Sequence, residues 1–129
     1  MTSHTREQMV DAAALLFQRE GYHATSWRRL VDESGAPWGS IGHHFPGGKE
    51  ELGVAAIERG GAAVTALIEH CFARRRSAAL AVGDWFAFSA RMLEDTGYAT
   101  GCPVATVALE TAATSPALAD ASRTAFAGW

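Results

Sequence analysis

Apolar and polar positions follow a helical period along almost the whole chain. In residues 5–20, Met9, Ala13, Leu16 and Phe17 recur at i, i+4, i+7 and i+8 and make one apolar stripe. Arg6, Glu7, Asp11, Gln18 and Arg19 fall mostly outside it. The pattern predicts an amphipathic first helix closed at Gly21, where a positive φ costs little. Thr25 and Ser26 offer N-cap oxygens to a second helix, Trp27 to about Glu33, ended by Ser34-Gly35. Pro37 suits the first turn of a short third helix reaching about Phe45. Pro46-Gly47-Gly48 breaks the chain, and Lys49-Glu50-Glu51 opens a fourth helix with acids placed well against its dipole.

The fourth helix is expected from about Lys49 to Arg74. Gly53, Gly60 and Gly61 weaken it, each by roughly 1 kcal/mol against Ala. Such glycines permit close packing or a bend, and the pattern leaves both open. A fifth helix spans Ser77 to Glu94 and carries Leu80, Trp85, Phe86, Phe88, Met92 and Leu93. Residues 95–101 read as a loop, and a sixth helix runs from Pro103 to about Ala113. Ser115-Pro116 reads as an N-cap followed by Pro at N1, opening a seventh helix still running at Trp129. No internal repeat, low-complexity tract or strand pattern interrupts this series.

Composition agrees with an all-α reading. The 129 residues match one ordinary domain in length, and 48% hydrophobic with 19% charged residues marks a globular chain. There are 26 Ala against ten Val plus Ile, a balance that favours helix over strand. No apolar run approaches the roughly 20 residues needed to cross a bilayer. The N-terminus lacks the apolar segment of a secretion signal, and two cysteines are too few for a disulfide scaffold, so the expected location is cytoplasmic. A net charge of −3 excludes a protein that coats nucleic acid by bulk charge. It leaves room for a sequence-specific binder relying on a few well-placed groups.

Residues 6–52 carry the functional signal, because a helix, a tight turn at Gly35 and a short second helix make a helix-turn-helix candidate. The segment TREQMVDAAALLFQREGYHATS at 5–26, followed by SGAPWGSIGHHFPGGKEEL at 34–52, resembles the DNA-binding domain of the TetR family of transcriptional repressors. HHFPGGKEEL is the most specific part. GCPVATVALETAATSPAL at 101–118 is similar to the C-terminal domain of the LmrA/YxaF-like branch of that family. The resemblance implies a helix-turn-helix domain over 1–48 and a helical ligand-binding and dimerisation domain over 49–129. It implies a homodimer that sets two third helices into successive major grooves of palindromic operator DNA. A small-molecule effector, aromatic or drug-like in this branch, would release the operator by moving the fourth helix. No enzyme chemistry and no cofactor are implied. Because the family's last two helices form its dimer interface, the resemblance also implies a chain incomplete at its C-terminus.

The candidate DNA-binding residues are Thr25, Ser26, Trp27, Pro37, Trp38, Gly39, Ser40, His43, His44 and Lys49. Hydroxyls and free N–H groups at a helix start suit phosphate, although Thr25 and Ser26 also serve plain N-capping. Lys49 would reinforce an anion site at the start of the fourth helix, or sit as a solvated surface lysine. In the family pattern the residue at His44 faces the DNA backbone while Phe45 packs inward; capping remains open for both histidines. Phe17, Leu30, Ile41 and Phe45 are assigned to the core. Candidate ligand-binding residues are Phe72, Trp85, Phe86, Phe88, Met92, Cys102, Val104 and Val107. Residues of these types at helical spacing also serve as ordinary core. Metal is not expected: His70 and Cys71 are adjacent on a helix and point apart, and no further ligand has suitable spacing.

Two departures weaken the reading head. The family commonly carries a basic residue where this chain has Trp38, and Tyr where it has Gly42. Residues 1–52 hold five basic and seven acidic side chains, a net of −2. The alternative function is therefore a helical small-molecule-binding or interaction protein with impaired DNA binding.

Overall fold

The computed structural model describes residues 2–129, with side chains from His4 onward. Among these residues seven α-helices follow one another with short connections: α1 (Thr2–Glu20), α2 (Trp27–Ser34), α3 (Ile41–His44), α4 (Gly48–Ala73), α5 (Ala78–Asp95), α6 (Pro103–Thr111) and α7 (Pro116–Ala127). There is no strand among the described residues. The expected stripe of α1 is the spine of the core: Met9, Ala13 and Leu16 are fully buried and Phe17 nearly so. Each large member of it stabilises by about 2 kcal/mol on burial. They pack with Leu30 of α2, Phe45, Leu52 and Ile57 of α4, Val104 and Val107 of α6, and Leu118 of α7. Ile41, assigned to the core from sequence, packs against this cluster while half-buried.

Gly21 ends α1 with φ 89°, and its N–H donates to Phe17 O at 3.1 Å. Gly35 ends α2 at φ 67° with the same device, donating to Val31 O at 2.9 Å. The third helix differs from expectation. A 3₁₀ turn at Trp38–Ser40 precedes only four α-helical residues, and Pro37 stands before it as an extended cap. Gly39 and Gly42 supply little helix propensity to so short a segment, so the tighter 3₁₀ winding takes its first half. The seventh helix spans Pro116–Ala127, and Gly128 keeps a helical backbone after it.

The three α4 glycines are places of close approach. A Cβ on Gly53 would meet Leu118 Cδ2 at 2.8 Å and Tyr22 Cε2 at 2.9 Å. On Gly60 it would meet Pro103 at the start of α6, and on Gly61 the Ala125 methyl of α7. The missing side chains thus let α6 and α7 pack tightly on α4. Helix α5 packs mainly on α4, and Leu80, Val82, Phe86, Phe88, Met92 and Leu93 all remain exposed on it.

Candidate functional site

The helix-turn-helix is formed by α2, the turn at Gly35-Ala36-Pro37 and the 38–44 segment, all braced by α1. Ser26 is the N-cap of α2: its Oγ accepts from Arg29 N at 3.2 Å, and the residue is exposed. Thr25 does not share that role. It is fully buried, and its Oγ1 donates to Gly21 O at 2.7 Å. Its assignment as a phosphate contact is therefore corrected, because a hydroxyl turned inward to finish the end of α1 is not presented to a ligand. Trp27 is half-buried and packs against the core.

Pro37, Trp38, Gly39 and His43 are exposed on the outer side of the motif, Trp38 at 56% of its surface. Ser40 is half-buried, and its hydroxyl donates to Pro37 O at 2.6 Å, which ties the 3₁₀ turn together. The His43 and His44 rings meet edge to face, with centroids 4.9 Å apart. Phe45, directly after them, points into the core at 1% exposure. The outer ridge therefore carries indole, imidazole and glycine surface.

Lys49 sits differently from expectation. Its ammonium lies 4.5 Å from the centroid of the Tyr22 ring. Burial lowers its pKa, an effect that the negative charge of Glu110 opposes. At the start of α4 an acid of the chain turns back, since Glu51 Oε2 accepts from Gly47 N at 2.7 Å. Glu50 accepts from the Ser115 hydroxyl at 2.6 Å and so anchors α7 to the same end. An anion arriving at this helix start would meet the opposing charge of Glu51.

A cavity of about 560 Å³ opens where α1, α4, α5 and the 100–103 segment meet. Of the sequence candidates, Trp85, Met92 and Cys102 line it, as does Trp129. Val104 and Val107 do not: they are fully buried core residues facing α1 and α4, so their assignment to a ligand site is corrected. Phe72 and Phe86 are exposed and lie outside the cavity, and Phe88 lines a separate recess beside Arg74 and Arg91. Cys102 also caps α6, its Sγ accepting from Ala105 N at 3.4 Å. Cys71 and Cys102 are both free thiols.

Comparison with known proteins decides the family. Residues 9–56 match the model for bacterial regulatory proteins of the tetR family, and residues 78–129 match the C-terminal domain of LmrA/YxaF-like transcriptional regulators. The chain is 37% identical over its whole length to the uncharacterized HTH-type transcriptional regulator YxaF of Bacillus subtilis, and spans 69% of that protein. The chain belongs to the TetR family. It is 33% identical to the HTH-type transcriptional regulator LmrA of the same organism, over 97% of this chain and 66% of LmrA. The fold matches a TetR regulatory protein from Rhodobacter sphaeroides with TM-score 0.85 at 20% identity, covering 95% of this chain and 65% of that one. It also matches reduced NemR of E. coli with TM-score 0.83 at 22% identity, covering 96% of this chain and 64% of that one. The chain thus spans about two thirds of these relatives, and the two Bacillus subtilis proteins are transcriptional regulators rather than enzymes.

Set in a TetR-family frame, two residues that the sequence reading passed over gain weight. Arg28 is exposed on α2 and makes no ion pair among the described residues. Its neighbour Arg29 is held between Glu20 and Glu33 at 2.8 and 3.2 Å. The second is Arg59, which lines the cavity and also pairs with Asp11 of α1. Arg28 was visible as one of only five basic residues in the first 52, but the partners that separate it from Arg29 lie on two helices. The Arg59–Asp11 pair spans 48 positions and leaves no local signal.

Proposed function

We propose that this TetR-family regulator binds a palindromic operator as a homodimer, represses transcription, and releases DNA when a small molecule occupies the cavity. Residues 1–48 form the reading head and 49–129 the ligand-binding and dimerisation part. The observation that carries this reading is the position of the cavity. Its wall includes α1, which braces the helix-turn-helix, together with α4 and the start of α6. A ligand there changes the packing of the helix that holds the reading head, which makes a bistable arrangement biased by binding.

Ser26, Arg28, Trp38, Gly39 and His43 make the face offered to DNA; Pro37, Ser40 and His44 shape it. Two such heads must lie about one helical turn, roughly 34 Å, apart on the operator. Leu80, Val82 and Phe86, exposed on α5 away from the cavity, are surface that a second copy would cover. The test is a gel shift with DNA flanking the gene itself, repeated with aromatic compounds at increasing concentration. A retarded band lost on adding one such compound is the expected result.

A second reading has its own support. With Arg29 tied to two acids and Lys49 turned onto Tyr22, the basic groups left near the DNA face are few. A cavity-bearing helical protein with impaired DNA binding would give no retarded band at any salt concentration, yet would still bind the compound.

A further inference from the structure

We infer that the cavity takes a flat aromatic ligand bearing a carboxylate, and that the carboxylate draws Arg59 away from Asp11, loosening α1 from α4. The inference rests on the reading of the cavity as a ligand site and adds the ligand class and the means of response. Among the side chains lining the cavity, that of Arg59 is the one that carries charge. The rest of the wall is apolar and aromatic, with Trp85, Met92, Leu93 and Trp129, and a few neutral polar groups such as Ser89 and Thr100. A guanidinium beside an apolar wall attracts anions, and its planar fork matches a carboxylate in two parallel hydrogen bonds. A cavity of this size holds a ligand of two or three rings.

The present partner of Arg59 is easily exchanged. Asp11 Oδ1 meets Arg59 Nη1 through one hydrogen bond of 2.5 Å, and both side chains are about half exposed. Exposed pairs of this kind hold only weakly. Asp11 is not among the residues lining the cavity, and a ligand carboxylate there competes with it for the same guanidinium. The pair joins α4 to α1, and α1 carries a second cavity-wall tie, from Gln18 Nε2 to Gly101 O at 2.5 Å. An anion that captures Arg59 therefore removes one of the polar links between the cavity and the helix bracing the reading head.

The test is calorimetric titration of the 129-residue chain with 2-naphthoate and with its neutral isostere 2-naphthamide. Naphthoate is expected to bind at least tenfold tighter. Arg59→Gln should bring naphthoate down to the naphthamide level, while Arg59→Lys should keep part of the preference; circular dichroism checks that each variant is folded. Asp11→Asn should tighten naphthoate several-fold and leave naphthamide unchanged. Equal binding of the two compounds overturns the anion preference and leaves the cavity reading standing. Binding of neither compound overturns both. A loss in Arg59→Gln without any gain in Asp11→Asn overturns the exchange of partners.

Discussion

Glu110, near the end of α6, accepts a hydrogen bond from the main-chain N–H of His23 at 2.7 Å. The two residues join the helix that begins at the cavity wall to the turn that leads into α2. The carboxylate also lies against Gly21, where a Cβ would collide with it. His23 Nε2 approaches the Glu110 carbonyl at 3.3 Å, so the turn is held at two points.

Glu110→Ala is expected to cost about 1 kcal/mol, below the range of about 1.5–3 kcal/mol for a hydrogen bond to a charged group, because water reaches this turn. The urea midpoint should fall while the slope of the transition stays constant. A stability unchanged within error would show that water replaces the carboxylate fully.

Gly53→Ala gives the second expectation, and its sign runs against helix propensity. Ala is favoured over Gly by about 1 kcal/mol within a helix. Here the new methyl would come within 3.0 Å of both Leu118 and Tyr22. Overpacking typically costs about 1–3 kcal/mol, so a net loss of stability is expected. Gly42→Ala is the control, since a Cβ there meets nothing within 4 Å and the change should stabilise by up to about 1 kcal/mol. Thermal melts of the two variants should move in opposite directions.

A third expectation concerns alkaline pH. Burial raises the Tyr22 pKa above 10.0, with the charge of Glu50 adding to the effect. As pH rises past about 10, the unfolded chain loses the phenolic proton before the folded one does. The folded state then binds more protons, and stability falls as pH climbs. Tyr22→Phe keeps the ring under Lys49 and removes this loss. Its urea midpoint should fall less than the parent's between pH 8 and pH 11, while near neutral pH the two should agree closely.

The parts of the fold governed by local pattern were legible in the sequence. The α1 stripe, the turns at Gly21 and Gly35, and the Ser115-Pro116 start all follow from spacing and backbone preference among near neighbours. The residues misjudged were those whose role depends on which way a helix faces. Thr25 and Ser26 carry equivalent hydroxyls, and only the packing of α1 against α2 turns one inward. Val104 and Val107 share a helix with the cavity's edge at Pro103, yet they face α1 and α4. The α4 glycines were compatible with a bend or a close contact until Leu118, Pro103 and Ala125 were seen against them. The pairing of Arg59 with Asp11 is a tertiary fact that no window of sequence contains.

On DNA, the two arginines of α2 and Lys49 should separate cleanly. Arg28 is free to meet a phosphate, whereas Lys49 is engaged with Tyr22. In a dimerised form, Arg28→Ala should weaken binding to all sequences alike and lower the salt slope by about one unit per head. Lys49→Ala should change stability more than the slope. An equal drop in slope for both variants would place the Lys49 ammonium on DNA after all.

The last expectation tests the outer ridge of the 38–44 segment. Gly42 is exposed and has open space around it, so a tyrosine there can reach outward without disturbing the core. Its hydroxyl can donate to a phosphate, and its ring adds apolar contact with the groove wall. Trp38, at 56% exposure, offers van der Waals surface but neutralises no phosphate. Gly42→Tyr should therefore tighten operator binding several-fold with little change in salt dependence. Trp38→Lys should tighten it further and steepen the salt dependence, because only that change adds a charge and releases a counterion. Titrations of a dimerised form at two salt concentrations separate the two effects. If both variants bind more weakly than the parent, the ridge reads DNA in another way, with the Trp38 indole against a thymine methyl and Gly42 admitting close approach of the backbone to the duplex.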